Sequence, residues 1–164
     1  MARVITPFSD KCIGCKRCVK ACAIEHGGVF REDASRTHVF TFKEPVAEGE
    51  KPKRYSVTIQ CRQCEDAACV AVCPTGAMHQ GPEGSHLVEF DADACIDCQL
   101  CVSACAFGCV RFDEQAGEIV KCDLCGGDPK CVAACQNCAL EFLEADDEVL
   151  EQRRARTELL KNGW

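Results

Sequence analysis

Sixteen of the eighteen cysteines fall into four groups: Cys12, Cys15, Cys18 and Cys22; Cys61, Cys64, Cys69 and Cys73; Cys95, Cys98, Cys101 and Cys105; and Cys122, Cys125, Cys131 and Cys135. Each group opens with C-x2-C and closes with C-x3-C, and the first and third are uninterrupted C-x2-C-x2-C-x3-C runs. Thiolates are soft ligands that select zinc or iron–sulfur clusters over hard cations, and this run is one that holds [4Fe–4S] cubes. Two-residue gaps let three cysteines of one loop wrap one face of a cube. The fourth lies a helical turn further on, about 6 Å of rise, so it points the other way and reaches a different cube. Sixteen thiolates at four per cube imply four cubes, and the chemistry of such sites is one-electron transfer.

The rest of the chain is sparse in other chemistry. It has 164 residues with one Trp and one Tyr, so no ordinary large core is available and metal–thiolate bonds must supply much of the folding free energy. The apo chain is therefore expected to be largely unfolded. The first residues, MARVITPFSDKC, contain neither an apolar signal core nor twin arginines, and no run approaches a membrane span. The expectation is a cytoplasmic protein with no direct membrane insertion, although a partner carrying its own signal could take the chain along. The formal charge of −7 disfavours nucleic acid and favours basic surfaces on protein partners, while a solvated acidic surface accounts for the same number.

Each cysteine group needs elements to position it. Short β-branched segments lead in, as at Arg3–Thr6 and Tyr55–Ile59, and a helical turn carries each fourth cysteine, in VKACA, VAVC, VSACA and VAAC. Second strands are expected at 110–112 and 140–143, an extra strand at 37–42, and a hairpin turn at 115–118. Gly27-Gly28, 48–52 and 81–84 read as loops. The charged tail from about Asp146 to Lys161 is helix-prone, with acids leading and Arg153, Arg154, Arg156 and Lys161 following. Its apolar residues do not form a full stripe along one face.

The segments KCIGCKRCVKAC, CRQCEDAACVAVCPTGA, DACIDCQLCVSACAFG and VKCDLCGGDPKCVAAC resemble the four-cluster iron–sulfur subunits of DMSO reductase, formate dehydrogenase and hydrogenase complexes. The five-residue gap between Cys125 and Cys131, where the larger subunits carry an insertion, is similar to small soluble subunits that serve tungsten aldehyde oxidoreductases or carbon monoxide dehydrogenase. The resemblance implies an α+β fold of two nested bacterial-ferredoxin-like units plus a helical tail. The outer unit would be 1–45 with 114–143, the inner unit 50–113 and the tail 144–164. It also implies four ligand sets: Cys12, Cys15, Cys18 with Cys135; Cys122, Cys125, Cys131 with Cys22; Cys61, Cys64, Cys69 with Cys105; and Cys95, Cys98, Cys101 with Cys73. The implied role is that of a non-catalytic electron relay between a catalytic oxidoreductase subunit and a second subunit or carrier.

Other readings stand beside this one. Structural zinc uses CxxC pairs, usually well apart and often with histidine, and a zinc-bound adaptor is the bland counterpart; disulfides lack any sign of secretion. The chain could also be a free polyferredoxin, or self-associate into a filament through the tail that ends at Trp164. Only Cys73 is followed by proline, so Ala23, Ala106 and Gln136 offer backbone N–H groups that could reach cluster sulfurs. Cys109 and Cys138 read as small buried hydrophobes close to clusters. His26, His38, His79 and His86 form no paired motif and read as loop or surface residues, and no GxGxxG marks a nucleotide site.

Overall fold

The structure is a computed structural model that describes residues 2–43, 51 and 53–161, with side chains as far as Ala155. Its elements in chain order are β1 (Arg3–Pro7), α1 (Arg17–Gly27), β2 (Thr37–Lys43), β3 (Arg54–Gln60), α2 (Ala68–Ala71), β4 (Met78–Gln80) and β5 (Val88–Phe90). There follow α3 (Leu100–Ala104), β6 (Arg111–Asp113), β7 (Glu118–Val120), α4 (Lys130–Ala133), β8 (Leu140–Glu144) and α5 (Asp147–Lys161). The strands form antiparallel two-stranded ribbons, β1 with β8, β2 with β3, β4 with β5 and β6 with β7. Helix and strand are thus both present and finely interleaved.

The β1–β8 ribbon joins the two ends of the cysteine-bearing region, with Val4 opposite Leu143. On the same side α1 packs against α4, and Ile5, Val19, Leu124 and Leu140 gather with Cys18, Cys122 and Cys131 into one buried cluster. A second cluster comes from the middle of the chain: α2 packs against α3, and Ala67, Met78, Val88, Val110 and Ile119 surround Cys101. Ile119 lies past residue 113, so the β6–β7 hairpin carries chain across the boundary expected there. Cysteine supplies three of the seven buried residues of the first core, and neither core contains a buried aromatic residue, so thiols occupy space that large apolar side chains fill elsewhere.

Local details depart from expectation in instructive ways. Helix α1 runs three turns instead of one, and ends where Gly28 adopts a left-handed φ of 69° and donates to Ile24 O at 2.9 Å. The other three cysteine-bearing helices, α2, α3 and α4, are single turns that stop before their last cysteine, so Cys73, Cys105 and Cys135 lie just beyond the helix. The loop at 81–84 does separate two strands, but the β4–β5 ribbon it connects was not foreseen. The loop expected at 48–52 lies outside the described residues except for Lys51, as does Trp164.

In α5 the Asp146 carboxylate caps the first turn, accepting from Val149 N at 2.8 Å. Arginines then tie the helix down in place of an apolar stripe. Arg153, only 7% exposed, donates to Arg62 O, and Arg154 Nη2 donates to both carboxylate oxygens of Glu65 at 2.8 Å. The tail is therefore pinned beside the loop that holds Cys61 and Cys64.

Candidate metal centres

All four C-x2-C loops share one backbone device. The residue just before the second cysteine is left-handed each time: Gly14 (φ 72°), Gln63 (48°), Asp97 (53°) and Leu124 (58°). Three of these are not glycine, and each such residue costs about 1–2 kcal/mol. Strain of this kind persists where the surroundings over-determine it, typically at functional sites. Changing the helical hand between neighbouring residues turns successive N–H groups toward one point, making the concave anion nest found at phosphate and iron–sulfur sites.

The fourth cysteine of each group also receives a backbone N–H. Arg36 N donates to Cys22 Sγ at 3.2 Å, Met78 N to Cys73 Sγ at 3.3 Å, Cys109 N to Cys105 Sγ at 3.3 Å and Ala139 N to Cys135 Sγ at 3.2 Å. In three groups these donors sit four or five residues past the cysteine, beyond the positions that replace proline. A donor aimed at a sulfur favours the thiolate. The Cys109 thiol beside it brings Cys105 down to about 5 against its burial, helped by the N–H groups of Cys109, Val110 and Phe107. Burial resists ionisation of Cys22, but the His26 ring, the Arg36 N–H and the Ser35 hydroxyl outweigh it and lower its pKa. Cys73 is likewise lowered, burial being outweighed by Met78 and Thr75.

The loop cysteines Cys18, Cys69, Cys101 and Cys131 are perturbed the other way, with neighbouring thiols adding to burial. Burial pushes Cys18 up to about 11, and Cys12, Cys15 and the distant Cys135 add to it. Burial pushes Cys131 up to about 12, with Cys22 and Cys125 contributing. Cys69 rises to about 11 through burial, then Cys61, Cys105 and Cys64, and Cys101 rises through burial, then Cys73 and Cys95. Each set brings together thiols from two different sequence groups. Thiols also act across these groupings: Cys18 acts on Cys131, and on Cys122 the effect of Cys61 comes ahead of those of Cys131 and Cys22. So many thiols gathered in buried space and supplied with anion-directed N–H groups are costly unless a cation or cluster neutralises them, and the donor set suits [4Fe–4S] cubes.

Thiols of two loops reach the surface. Cys15 and Cys98 are exposed, and beside them Ile13 and Ile96 are 68% and 62% exposed. Cys18, Cys22, Cys101, Cys122 and Cys131 are buried.

Two residues carry more than the sequence suggested. His26 is not a loop residue: it lies one helical turn after Cys22 on α1, with Nε2 3.7 Å from Cys125 Sγ and 3.6 Å from Asp123 Oδ1. Contacts with Cys125 and then Cys22 raise its pKa to about 9, so it stands as a charged donor to thiols of one set. Its four-residue spacing from Cys22 was the available signal. Cys109 is 4% exposed and its thiol abuts Cys105, whereas Cys138 is exposed instead of buried.

Comparison with known proteins agrees with this geometry. Two matches to 4Fe-4S dicluster domains span residues 53–145 and 11–77. The chain is 39% identical over 134 residues to the NADH-dependent phenylglyoxylate dehydrogenase subunit beta of Aromatoleum evansii, covering 81% of this chain but 28% of that protein. It is 38% identical over 141 residues to the polyferredoxin-like subunit of the aliphatic sulfonate oxidoreductase of Pyrococcus furiosus, covering 86% and 75% of the two proteins. With the B subunit of the anaerobic dimethyl sulfoxide reductase of Escherichia coli it shares 35% over 160 residues, covering 85% and 72%. The chain belongs to the 4Fe-4S dicluster family of iron–sulfur electron-transfer subunits. Its cysteine-rich loops accordingly suit [4Fe–4S] clusters.

Proposed function

We propose that the chain holds four [4Fe–4S] clusters in the crossed sets named above and relays electrons between a catalytic oxidoreductase subunit and a second subunit or carrier, without substrate chemistry of its own. The observation that supports this reading is that Cys18, Cys131, Cys69 and Cys101 each lie close enough to a thiol of another sequence group to be perturbed by it, while Cys15 and Cys98 are exposed. Bound cubes supply one-electron redox centres; the chain's residues hold and insulate them. The loop N–H nests and the donors to Cys22, Cys73, Cys105 and Cys135 stabilise thiolate charge, the two apolar cores exclude water, and Cys15 and Cys98 mark where electrons enter and leave. The nested outer and inner units follow from the same sets, with the tail as an added arm.

Among catalytic partners a tungsten or molybdenum aldehyde oxidoreductase is preferred. The short fourth loop and the resemblance to a small polyferredoxin-like subunit of a related oxidoreductase support that choice. Among the described residues no helix is long and apolar enough to cross a membrane, which accords with a cytoplasmic complex. Self-association through the C-terminal tail, 144–164, is a further part of the proposal. Anaerobic affinity purification from the native host with total metal analysis tests it. Iron near sixteen per chain with tungsten or molybdenum in a large co-purifying subunit is the expected result. Nickel would point to carbon monoxide dehydrogenase or hydrogenase, and iron without any partner to a free polyferredoxin.

A further inference from the structure

Within each core the thiol sets are spaced by covalent structure: Cys18 and Cys22 share α1, while Cys69 and Cys73 bracket the end of α2 and Cys101 and Cys105 that of α3. The step between the set containing Cys122 and the set containing Cys61 has no such helix. Two buried polar side chains hold it instead. Lys121, 4% exposed, donates through Nζ to Val88 O and to Cys122 O, the latter at 3.0 Å. Gln63, 5% exposed, donates through Nε2 to the same Cys122 carbonyl at 2.9 Å, and its Oε1 accepts the Val88 N–H at 2.8 Å. The two side chains grip the same two residues from the Cys61–Cys64 loop and from the start of the fourth group.

A lysine almost never goes inside without a reason, and hydrogen bonds alone could be made by a neutral residue, as Gln63 does beside it. Lys121 acts electrostatically on the thiols of Cys61 and Cys69, and the buried Arg153 acts on Cys61 and Cys64. The loop of the next set is oppositely furnished, with Asp91, Asp93 and Asp97. A cation near a centre that gains an electron stabilises the reduced form, and away from water its field is weakly screened.

We infer that Lys121 is a positioning residue for electron transfer, its buried ammonium setting the junction between the two cores and raising the reduction potential of the cluster at Cys61, Cys64, Cys69 and Cys105 above that of the cluster at Cys95, Cys98, Cys101 and Cys73. This rests on the four-cluster reading. The step is one electron taken from the relay's donor onto the cube, with no bond made or broken.

The test is an EPR-monitored redox titration of the anaerobically purified full chain beside Lys121→Gln, Lys121→Met and Lys121→Arg, with iron counted in each. Where about sixteen irons are retained, one signal moves to lower potential in both neutral variants and stays in place in Lys121→Arg. Unmoved signals in a neutral variant with full iron overturn the inference; a merely structural lysine would lower melting temperature in Lys121→Met and leave the Lys121→Gln potentials alone. Should neither neutral variant keep its iron, the unaltered protein decides. The signal lost in Cys64→Ala must titrate at higher potential than the signal lost in Cys98→Ala, and the reverse order overturns the inference. Iron well short of sixteen in the unaltered protein overturns the four-cluster reading itself.

Discussion

The first and third cysteine loops, CIGCKRC and CIDCQLC, have the same spacing and the same backbone turns, yet they present different surfaces. The first is fringed by Lys11, Lys16, Arg17 and Lys20, of which Lys11 pairs with Glu141 at 3.0 Å and Lys16 with Glu32 at 2.5 Å. The third is fringed by Asp91, Asp93 and Asp97. Each exposes one thiol and one isoleucine. Cysteine spacing and handedness therefore say where a cluster goes, and the residues between the cysteines say what the cluster meets outside. A relay with unlike ends can face two unlike partners, because complementary charge selects and orients docking.

The loops also differ in what supports them. A Cβ on Gly14 would sit 2.6 Å from Ser56 Oγ and 2.9 Å from Thr41 Oγ1 of the β2–β3 ribbon. At the matching place in the third loop the chain accommodates Asp97 at φ 53°. The first loop is braced by a ribbon, whereas in the third Asp97 N donates back to Cys95 Sγ at 3.4 Å and Cys101 packs into the second core.

The largest effect should follow removal of iron, which asks whether either loop has structure of its own. Chelation under anaerobic conditions should abolish the native circular dichroism and cooperative melting; an apo form that keeps both would remove the premise of the comparison. Next comes Gly14→Ala, which combines a left-handed φ with a collision and should cost about 2–4 kcal/mol. Denaturant melts of Gly14→Ala and Asp97→Ala side by side would expose a false contrast if the two cost the same.

A smaller effect involves His38 in β2, whose pKa burial, with Arg111 adding, holds at about 4, below its ordinary 6.5. A depressed histidine contributes stability that is complete above 6.5 and is lost as pH falls toward 4. At this half-buried site the loss should be about 1–2 kcal/mol after solvent screening. Melting midpoints at pH 7.5 and 5 should draw together in His38→Phe, and an unchanged pH slope would contradict the brace as described. Smallest is Asp97→Gly, which should stabilise the third loop by about 0.5–1 kcal/mol through relief of the left-handed strain, offset in part by a more flexible unfolded chain.

Much of this was readable in advance. Spacing alone located all four loops, β-branched residues marked β1, β2 and β3, and the repeat itself called for a strand at β8. What escaped depended on contacts distant in sequence. β4 and β5 are three-residue strands, too short for periodicity to register, and form because Met78 and Val88 meet in the second core. Nothing local marks Gln63 or Leu124 as left-handed; only their place before the second cysteine does so. Lys121 precedes Cys122 and reads as an ordinary charged neighbour until β5 and Gln63 close over it. His26 was spaced correctly to meet Cys22, but its second contact, Cys125, lies in another group.

The central claim is that each cluster is completed by a cysteine from another group, and Cys135→Ala tests it most directly. Iron counting with EPR should find the full chain near sixteen irons and the variant near twelve, four per cube. The missing signal should be the one also lost in Cys15→Ala. If Cys135→Ala instead removes the signal lost in Cys125→Ala, the fourth group holds its own cluster and the crossed arrangement is wrong.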